Sequence, residues 1–177
     1  MCIRDRNYAD HTFGVCKKML DDKNAIMGLG DGGAHVGFIL DAGYPTWLIS
    51  YWSVKQKAYS MEETVRRLTS DTANAAGLND RGLLKVGLKA DINIIDWENV
   101  GSSDPFMTQD LPAGGKRLMQ HTKGYVTTIV SGKVTYKNGE FTKKRPGTVV
   151  KSVKDVEKTL EFGRRIKIIL KIKSFFY

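Results

Sequence analysis

Cysteines and histidines are scarce in this sequence, and both shortages limit what the chain can do alone. Its 177 residues include two cysteines, Cys2 and Cys16, which form no CxxC pair and cannot build a disulfide framework. A reducing compartment, the cytoplasm by default, is therefore expected. The three histidines, His11, His35 and His121, form no HxH or HExxH pair. The chain thus lacks the ligand count, roughly three or four donors, of a self-sufficient zinc site.

Long apolar runs are also missing. No stretch approaches the roughly 20 apolar residues of a membrane-spanning helix, and the opening residues show no signal-peptide pattern. Apolar residues make up 41% of the chain and charged residues 27%, as in ordinary globular proteins. We therefore expect no membrane partner.

The net charge of +9 is concentrated at one end of the chain. Residues 143–177 hold 11 lysines and arginines against three acids, whereas residues 1–142 hold 17 against 16. The body has no basic excess, so no nucleic-acid partner is predicted. Residues 151–177 are interpreted as a basic tail, either an unstructured terminus or a read-through product. A basic amphipathic segment for a membrane or an anionic partner is the alternative.

The most informative stretch is Asn24–His35, NAIMGLGDGGAH. An apolar run leads into glycines, a single carboxylate, Asp31, and then further small residues and His35. The pattern predicts a buried strand, Asn24–Gly30, that presents one acid at its carboxyl end, where barrel enzymes place catalytic side chains. By residue type alone, Asp31 could also be a turn former, and His35 a structural histidine, a ligand or a substrate contact.

Three glycines in this stretch, Gly28, Gly30 and Gly33, match the dinucleotide fingerprint GxGxxG. A Rossmann site is nevertheless not predicted. The fingerprint requires a helix at its end and an acid about 20 residues further on. Here Pro45 precedes the next predicted helix, and residues 48–58 contain no acid.

Helical spacing dominates the rest of the first half. Residues 12–23 predict a short helix, and a second is expected from about Thr46, because the residue before a proline avoids the α region. Ser60-Met61-Glu62-Glu63 is a capping box that starts one helix over about 61–76, which Gly77 ends. The aromatic residues of the second helix favour core packing over a pocket lining; they are Trp47, Tyr51 and Trp52, with Ile49 beside them.

From about residue 81 the pattern changes to short β-type runs between glycines. Strands are predicted at 92–97, 125–131, 133–137 and 140–142. Asn138-Gly139 predicts a type I′ hairpin turn, and Ser131-Gly132 a second tight turn. Residues 104–118 contain two prolines and a Gly-Gly pair and are predicted to be a loop. Residues 81–150 are thus expected to form a small antiparallel module.

Three segments together resemble the carboxyl-terminal part of the amidohydrolase superfamily, in the branch of the N-acyl-D-amino-acid deacylases (D-aminoacylases). The first is Gly28–His35. The second is LTSDTANAAGLNDRGLL followed by KVGLKADINIID, residues 68–96, which is similar to the family pattern DRG-x-L-x-x-G-x-x-AD and a strand. The third comprises LPAGG, GYVTTIVSG and NGE, within residues 111–140, and ends near the Arg-Pro-Gly at 145–147.

The resemblance implies one or two zinc ions at the top of a (β/α)₈ barrel, held by an HxH pair, a bridging side chain and two later histidines. It also implies that Asp31 is the aspartate after the eighth strand, which ligates metal and moves the proton from water to the leaving amine. A carboxylate beside zinc stays ionised, and zinc lowers the pKa of water toward ~7. The ligands that should precede Asp31 are missing from this sequence.

The substrate implied by the resemblance is an N-acyl-D-amino acid, but one expected feature is missing. D-aminoacylases have a basic residue shortly after this aspartate to hold the substrate carboxylate, and residues 32–54 contain no lysine or arginine. A cyclic amide or another acyl amine therefore remains open. His35 is a candidate substitute contact for the substrate.

These observations define the predicted architecture. It is an α/β fragment of a metal-dependent hydrolase barrel, its last strand and helices, joined to part of a small antiparallel β-sandwich domain. Residues 1–6, MCIRDR, resemble translated adapter sequence and are expected to be an artefact. Residues 7–80 would end the barrel, 81–150 would belong to the β domain, and 151–177 would be the tail. The alternative is a non-catalytic binding module with a basic tail.

The 177-residue chain by itself is expected to be inactive and to bind zinc no tighter than about millimolar, because it lacks the other ligands. Isothermal titration with zinc and an amide-hydrolysis assay on the purified chain would test this. Stoichiometric zinc together with amidase activity would contradict the fragment interpretation.

Overall fold

The computed structural model of the chain describes residues 12–28, 30 and 35–150. Asp31, the opening segment 1–6 and the basic tail 151–177 lie outside these residues, and the interpretations of them stay predictions. The described part is a mixed α/β structure in which helices come first and antiparallel strands follow.

Four α-helices and one π-helical segment form the first half. Helix α1 confirms the predicted first helix, and α2 runs directly into the π-helix where the second helix was expected. The elements are α1 (Gly14–Asp21), α2 (Tyr44–Trp47), the π-helix (Leu48–Lys55), α3 (Met61–Leu68) and α4 (Ser70–Ala75).

The predicted N-cap of α3 is present. Ser60 has extended backbone angles, and its hydroxyl accepts a hydrogen bond from the Glu63 amide at 3.1 Å. The carboxylate of Glu63 pairs with Arg67 one turn later, at 2.8 Å. The cap therefore satisfies one of the free amides at the helix start, while the acid supports the helix surface.

The prediction of one continuous helix over 61–76 is wrong, because the helix breaks at Thr69. This residue has φ −125° and ψ −84°, outside the helical region, and separates α3 from α4. Its hydroxyl donates to the carbonyl of Val65 at 2.6 Å. Hydroxyl side chains of this kind compete for backbone carbonyls and disturb a helix. The helical end was predicted correctly: Gly77 has φ 70°, and the Leu78 amide donates to the Ala73 carbonyl.

The strand predicted at Asn24–Gly30 is also wrong for the residues that the structure describes. Residues 25–28 are irregular, and they pair with no strand in the described part of the chain. A strand is stable only beside a hydrogen-bonded neighbour, and apolar sequence alone does not supply one. Met27 packs instead against the core of the helical half.

Eight strands form the antiparallel module predicted for residues 81–150, in three sheets. The main sheet has the order β1-β6-β7-β8, and two ribbons pair β2 with β5 and β3 with β4. The strands are β1 (Ile92–Ile95), β2 (Gly101–Ser102), β3 (Phe106–Leu111), β4 (Gly115–Met119), β5 (Thr122–Lys123), β6 (Tyr125–Val130), β7 (Lys133–Lys137) and β8 (Glu140–Phe141).

Both predicted hairpin turns of the main sheet are confirmed. Asn138 and Gly139 have φ 49° and 84° between the paired residues Lys137 and Glu140. Ser131 and Gly132 likewise have positive φ between β6 and β7. Positive φ at both central positions is what a two-residue turn needs to match the twist of its strands.

Residues 104–118, expected to be a loop, contain a β-hairpin instead. Strands β3 and β4 pair antiparallel across a short 3₁₀ turn, Pro112–Gly114. Arg117 on β4 makes a two-pronged ion pair with Asp110 on β3, at 2.7 and 2.6 Å. Of the residues interpreted as loop formers, Pro112 and Gly114 lie in the connection, while Pro105 precedes β3 and Gly115 begins β4. The strands are held by cross-strand pairing that local composition does not reveal.

The core of the described part lies under the π-helix. Leu48 is 0% exposed, and Trp52 and Tyr59 are also buried. Phe13 of the segment before α1 contacts the rings of Trp47 and Trp52 edge to face. The predicted core role of the aromatic run is therefore confirmed. No helix among the described residues is long and apolar enough to cross a membrane.

Removing the α3 cap should lower stability without changing the fold. For Ser60→Ala we expect a loss of about 1 kcal/mol in the free energy of unfolding, the usual cost of losing a serine cap. Urea denaturation followed by circular dichroism measures it. The control is Ser102→Ala, at an exposed serine in β2, which should change stability by less than about 0.5 kcal/mol. Equal effects of the two variants would argue against the cap.

Candidate functional site

Gly30, the residue before the predicted site residue Asp31, lies against the backbone of Asp41. A Cβ atom placed on Gly30 would lie 2.3 Å from the carbonyl oxygen of Asp41, far inside contact distance. Only glycine fits at this point, because the two backbones touch. The chain therefore leaves Gly30 and comes back to the same place at Asp41, with Asp31 the first residue of the intervening sequence.

His35 occupies a tight turn in this segment. Its backbone is left-handed, with φ 47°, and its carbonyl accepts hydrogen bonds from the amides of Phe38 and Ile39 at 2.9 and 3.0 Å. The imidazole is exposed and stacks on the Phe38 ring, with 5.2 Å between centroids. A left-handed conformation is uncommon for a residue with a side chain. The turn thus holds an accessible imidazole at a defined place.

The antiparallel module holds the segment that follows this turn at several points. The Leu118 amide of β4 donates to the Val36 carbonyl at 2.7 Å, next to His35. A Cβ on Gly43 would lie 2.9 Å from the side-chain oxygen of Gln120, so these two residues are in close contact.

A third contact joins two side chains. The hydroxyls of Thr46 in α2 and Tyr125 in β6 are hydrogen-bonded at 2.8 Å. Thr46 is 4% exposed, and the bond is a partly buried link between the helical half and the module. The three contacts together connect residues 36–46 to β4, β6 and the residue that follows β4.

A polar groove of about 430 Å³ lies beside these contacts. Hydroxyl, amide and imidazole groups line it, and several of them belong to strands β1, β6 and β7 of the main sheet. The lining residues are Thr46, Asn93, Gln120, His121, Thr122, Tyr125, Thr128, Tyr136 and Gly139. Among the described residues that line it there is no lysine, arginine or carboxylate side chain.

The described residues do not form a metal centre by themselves. Within residues 12–28, 30 and 35–150, no three histidine, cysteine or acidic side chains lie close enough to share an ion. His35 stacks on Phe38. His121, which lines the groove, packs against Phe106 with 4.8 Å between the ring centroids. The structure gives these two histidines different environments. Asp31, the predicted ligand, lies outside the described residues.

A charged cluster connects helices α1 and α3 through Tyr59. The Tyr59 hydroxyl donates to the Asp21 carboxylate at 2.8 Å, and Lys17 pairs with the same carboxylate. The guanidinium of Arg67 lies over the Tyr59 ring, 4.5 Å from its centroid. Burial, and then the negative Asp21, raise the pKa of Tyr59 well above its ordinary value. Hydrogen bonds from Lys17 and Tyr59 lower the pKa of Asp21.

Sequence reasoning proposed His35 as a candidate substrate contact, which stays a prediction, and it missed the residues of the module that contact the segment after it. Thr46 and Tyr125 are 79 positions apart, and no local pattern connects them. One available signal was that Thr46 is a hydroxyl residue within an otherwise largely apolar and aromatic run, residues 44–52. A buried hydroxyl needs a partner, although the sequence does not say which one.

Comparison with known proteins supports the resemblance at the level of the family. The amidohydrolase family model matches residues 6–136. A dihydroorotase from Lactobacillus acidophilus is 33% identical over 89 residues, covering 48% of this chain and 20% of the dihydroorotase. The chain thus spans about a fifth of that relative's length. No solved structure matches the chain.

The Tyr59 cluster makes stability depend on pH at the alkaline end. A tyrosine whose pKa is raised on folding contributes stability below its unfolded pKa, about 10, and loses it as pH rises toward the higher folded value. For Tyr59→Phe we expect a loss of about 1–2 kcal/mol at pH 7, from the missing bond to a carboxylate.

Urea denaturation at pH values from 7 to 11 tests this dependence. The wild-type free energy of unfolding should fall more steeply above pH 10 than that of Tyr59→Phe. Tyr136→Phe, at an exposed tyrosine, is the matched control and should keep the wild-type slope. Parallel curves for the wild type and Tyr59→Phe would contradict the proposed linkage.

Proposed function

The chain belongs to the amidohydrolase family, and we propose that it is part of a zinc-dependent enzyme that hydrolyses non-peptide carbon–nitrogen bonds. In this proposal residues 7–80 end a (β/α)₈ barrel, and Asp31 is both a metal ligand and the group that transfers the proton. The observation that carries the proposal is the family match over residues 6–136, which includes the Asp31 segment and most of the antiparallel module.

The local geometry around Gly30 supports a functional rather than a generic role for Asp31. A turn former needs only flexible neighbours, whereas Gly30 is held against the Asp41 backbone so closely that no side chain fits. Five residues after Gly30, His35 is held in a left-handed turn. Constrained backbone positions such as Gly30 and His35 cluster at functional sites in folded proteins.

Zinc is proposed from the family and not from the described side chains. A protein-bound zinc ion takes about four ligands, and the part of the chain that the structure describes offers no group of three. The described residues therefore do not fit a complete zinc site. Zinc binding by the enzyme would require Asp31 together with ligands other than those described.

The proposed chemistry of Asp31 is proton transfer during amide hydrolysis. An ionised carboxylate can accept a proton from the attacking water as the water's oxygen adds to the amide carbon. The same carboxylic acid can then donate that proton to the departing nitrogen as the C–N bond breaks. General acid–base catalysis of this kind contributes about 10²–10⁴-fold in rate.

The proposed substrate is an N-acyl amino acid or a related amide. Residues 32–54 contain no lysine or arginine that could hold a substrate carboxylate. His35, exposed and fixed in its turn, is proposed as the contact that takes this role. Cyclic amides are included in the proposal because the dihydroorotase shares 33% identity with part of the chain.

The test uses the protein expressed from the complete reading frame that encodes this chain, loaded with zinc. Hydrolysis is measured on N-acyl-D-amino acids, N-acyl-L-amino acids and cyclic amides such as dihydroorotate and hydantoins. For Asp31→Asn we expect kcat to fall by about 10³-fold or more and bound zinc to decrease in elemental analysis. Asp110→Asn, at a surface carboxylate of the β3–β4 hairpin, is the control and should keep both.

His35→Ala is measured in the same assay. If His35 holds the substrate, kcat/KM should fall at least about tenfold while zinc content stays at the wild-type value. Unchanged kinetics would remove His35 from the proposal. Full activity of Asp31→Asn, or no hydrolysis of any amide by the zinc-loaded wild type, would overturn the proposed function itself.

A further inference from the structure

We infer that the antiparallel module positions the His35 turn, with the Thr46–Tyr125 hydrogen bond as the principal contact, and that Thr46 and Tyr125 are positioning residues of the enzyme. The inference rests on the proposed function, because it concerns the segment that follows Asp31. It goes further in giving a role in hydrolysis to a module that contributes none of the proposed site residues.

The first step of the argument is a continuous path from Tyr125 to Gly30. The Tyr125 hydroxyl is bonded to Thr46 at 2.8 Å, and Thr46 lies in helix α2. At the start of that helix the Tyr44 amide donates to the Asp41 carbonyl at 3.2 Å. Asp41 is the residue whose backbone touches Gly30. A displacement of α2 relative to β6 would therefore be transmitted to the contact between the backbones of Asp41 and Gly30.

The second step is that the turn has an independent anchor on β4. The Leu118 amide donates to the Val36 carbonyl at 2.7 Å, and Leu118 is paired with Met107 of β3. The residue adjacent to His35 is thus tied to a two-stranded ribbon. Residues 36–46 are held at one end by β4 and at the other by β6, which fixes their place relative to the module.

The third step is the energetic weight of the Thr46–Tyr125 bond. Thr46 is 4% exposed and the bond is partly buried, so the loss of one hydroxyl leaves its partner with limited access to a replacement donor or acceptor. Hydrogen bonds between buried groups are costly to leave unmade, and the loss of one partner is felt mainly by the group that remains. Placement of reacting groups within about 1 Å can govern rates by about 10²-fold. A modest shift of the segment would thus have a measurable effect on hydrolysis.

The experiment compares Thr46→Val, Thr46→Ser and Tyr125→Phe in the zinc-loaded protein from the complete reading frame. Valine keeps the shape of threonine without the hydroxyl, while serine keeps the hydroxyl. Thr148→Val is the control and should change neither quantity, because Thr148 is exposed and lies outside the groove and outside residues 35–47. Assays are run well below the melting temperature of each variant, so that a purely structural loss does not affect the rate.

Two quantities are measured for each variant. Hydrogen–deuterium exchange of peptides within residues 35–47 reports the segment directly and does not depend on activity. We expect Thr46→Val and Tyr125→Phe to raise this exchange about fivefold and to lower kcat/KM about tenfold. Thr46→Ser should restore both, and the Thr46→Val/Tyr125→Phe double variant should be no worse than the single ones.

The outcomes separate this inference from the proposed function. Unchanged exchange, or raised exchange with unchanged kcat/KM, would overturn the positioning role even where Asp31→Asn abolishes hydrolysis. Failure of Thr46→Ser to restore kcat/KM would overturn it as well. A wild-type protein that hydrolyses no amide would instead refute the proposed function, and the positioning role in catalysis with it, whatever the exchange data show.

Discussion

Burial of Leu48 and Trp52, two side chains of the π-helix, is the constraint on which the rest of the described structure depends. Most of the buried residues in the described part belong to the helical half, and Phe13, Met27 and Trp47 are partly buried against this cluster. Apolar area removed from water is the dominant stabilising term in a structure of this size. Since α2 runs directly into the π-helix, the same burial also fixes the position of Thr46 and the segment that precedes it.

The antiparallel module is built on a different principle. Its strands are short and its side chains are largely half-exposed, so tight turns and cross-strand contacts carry more of the organisation. The Asn138-Gly139 turn fixes the register of β7 and β8, and the Arg117–Asp110 ion pair connects β4 to β3. The two halves meet where Tyr125 and Leu118 contact the segment after Asp31. This contact connects the module to the segment that carries the proposed site residue His35.

How far the sequence predicted the fold depended on whether a signal was local. Ser60, Gly77 and Asn138-Gly139 each act through a backbone geometry that one or two residues determine, and these predictions are confirmed. The predictions for Asn24–Gly30 and for 104–118 are wrong because strand formation requires a partner. The apolar residues 25–27 have no such partner in the described part, and β3 and β4 pair with each other despite their many polar residues.

The candidate site divides in the same way. His35 and Asp31 were proposed as site residues from the sequence, and both roles stay predictions. The stretch from Gly28 to His35 contributed to the family resemblance, because small residues around one acid form a local pattern. The touching backbones of Gly30 and Asp41, and the bond between Thr46 and Tyr125, were decided only by the tertiary structure. The physical reason is distance along the chain: a turn or a cap is set by neighbouring residues, whereas a contact across 79 positions exists only once the core has brought both partners together.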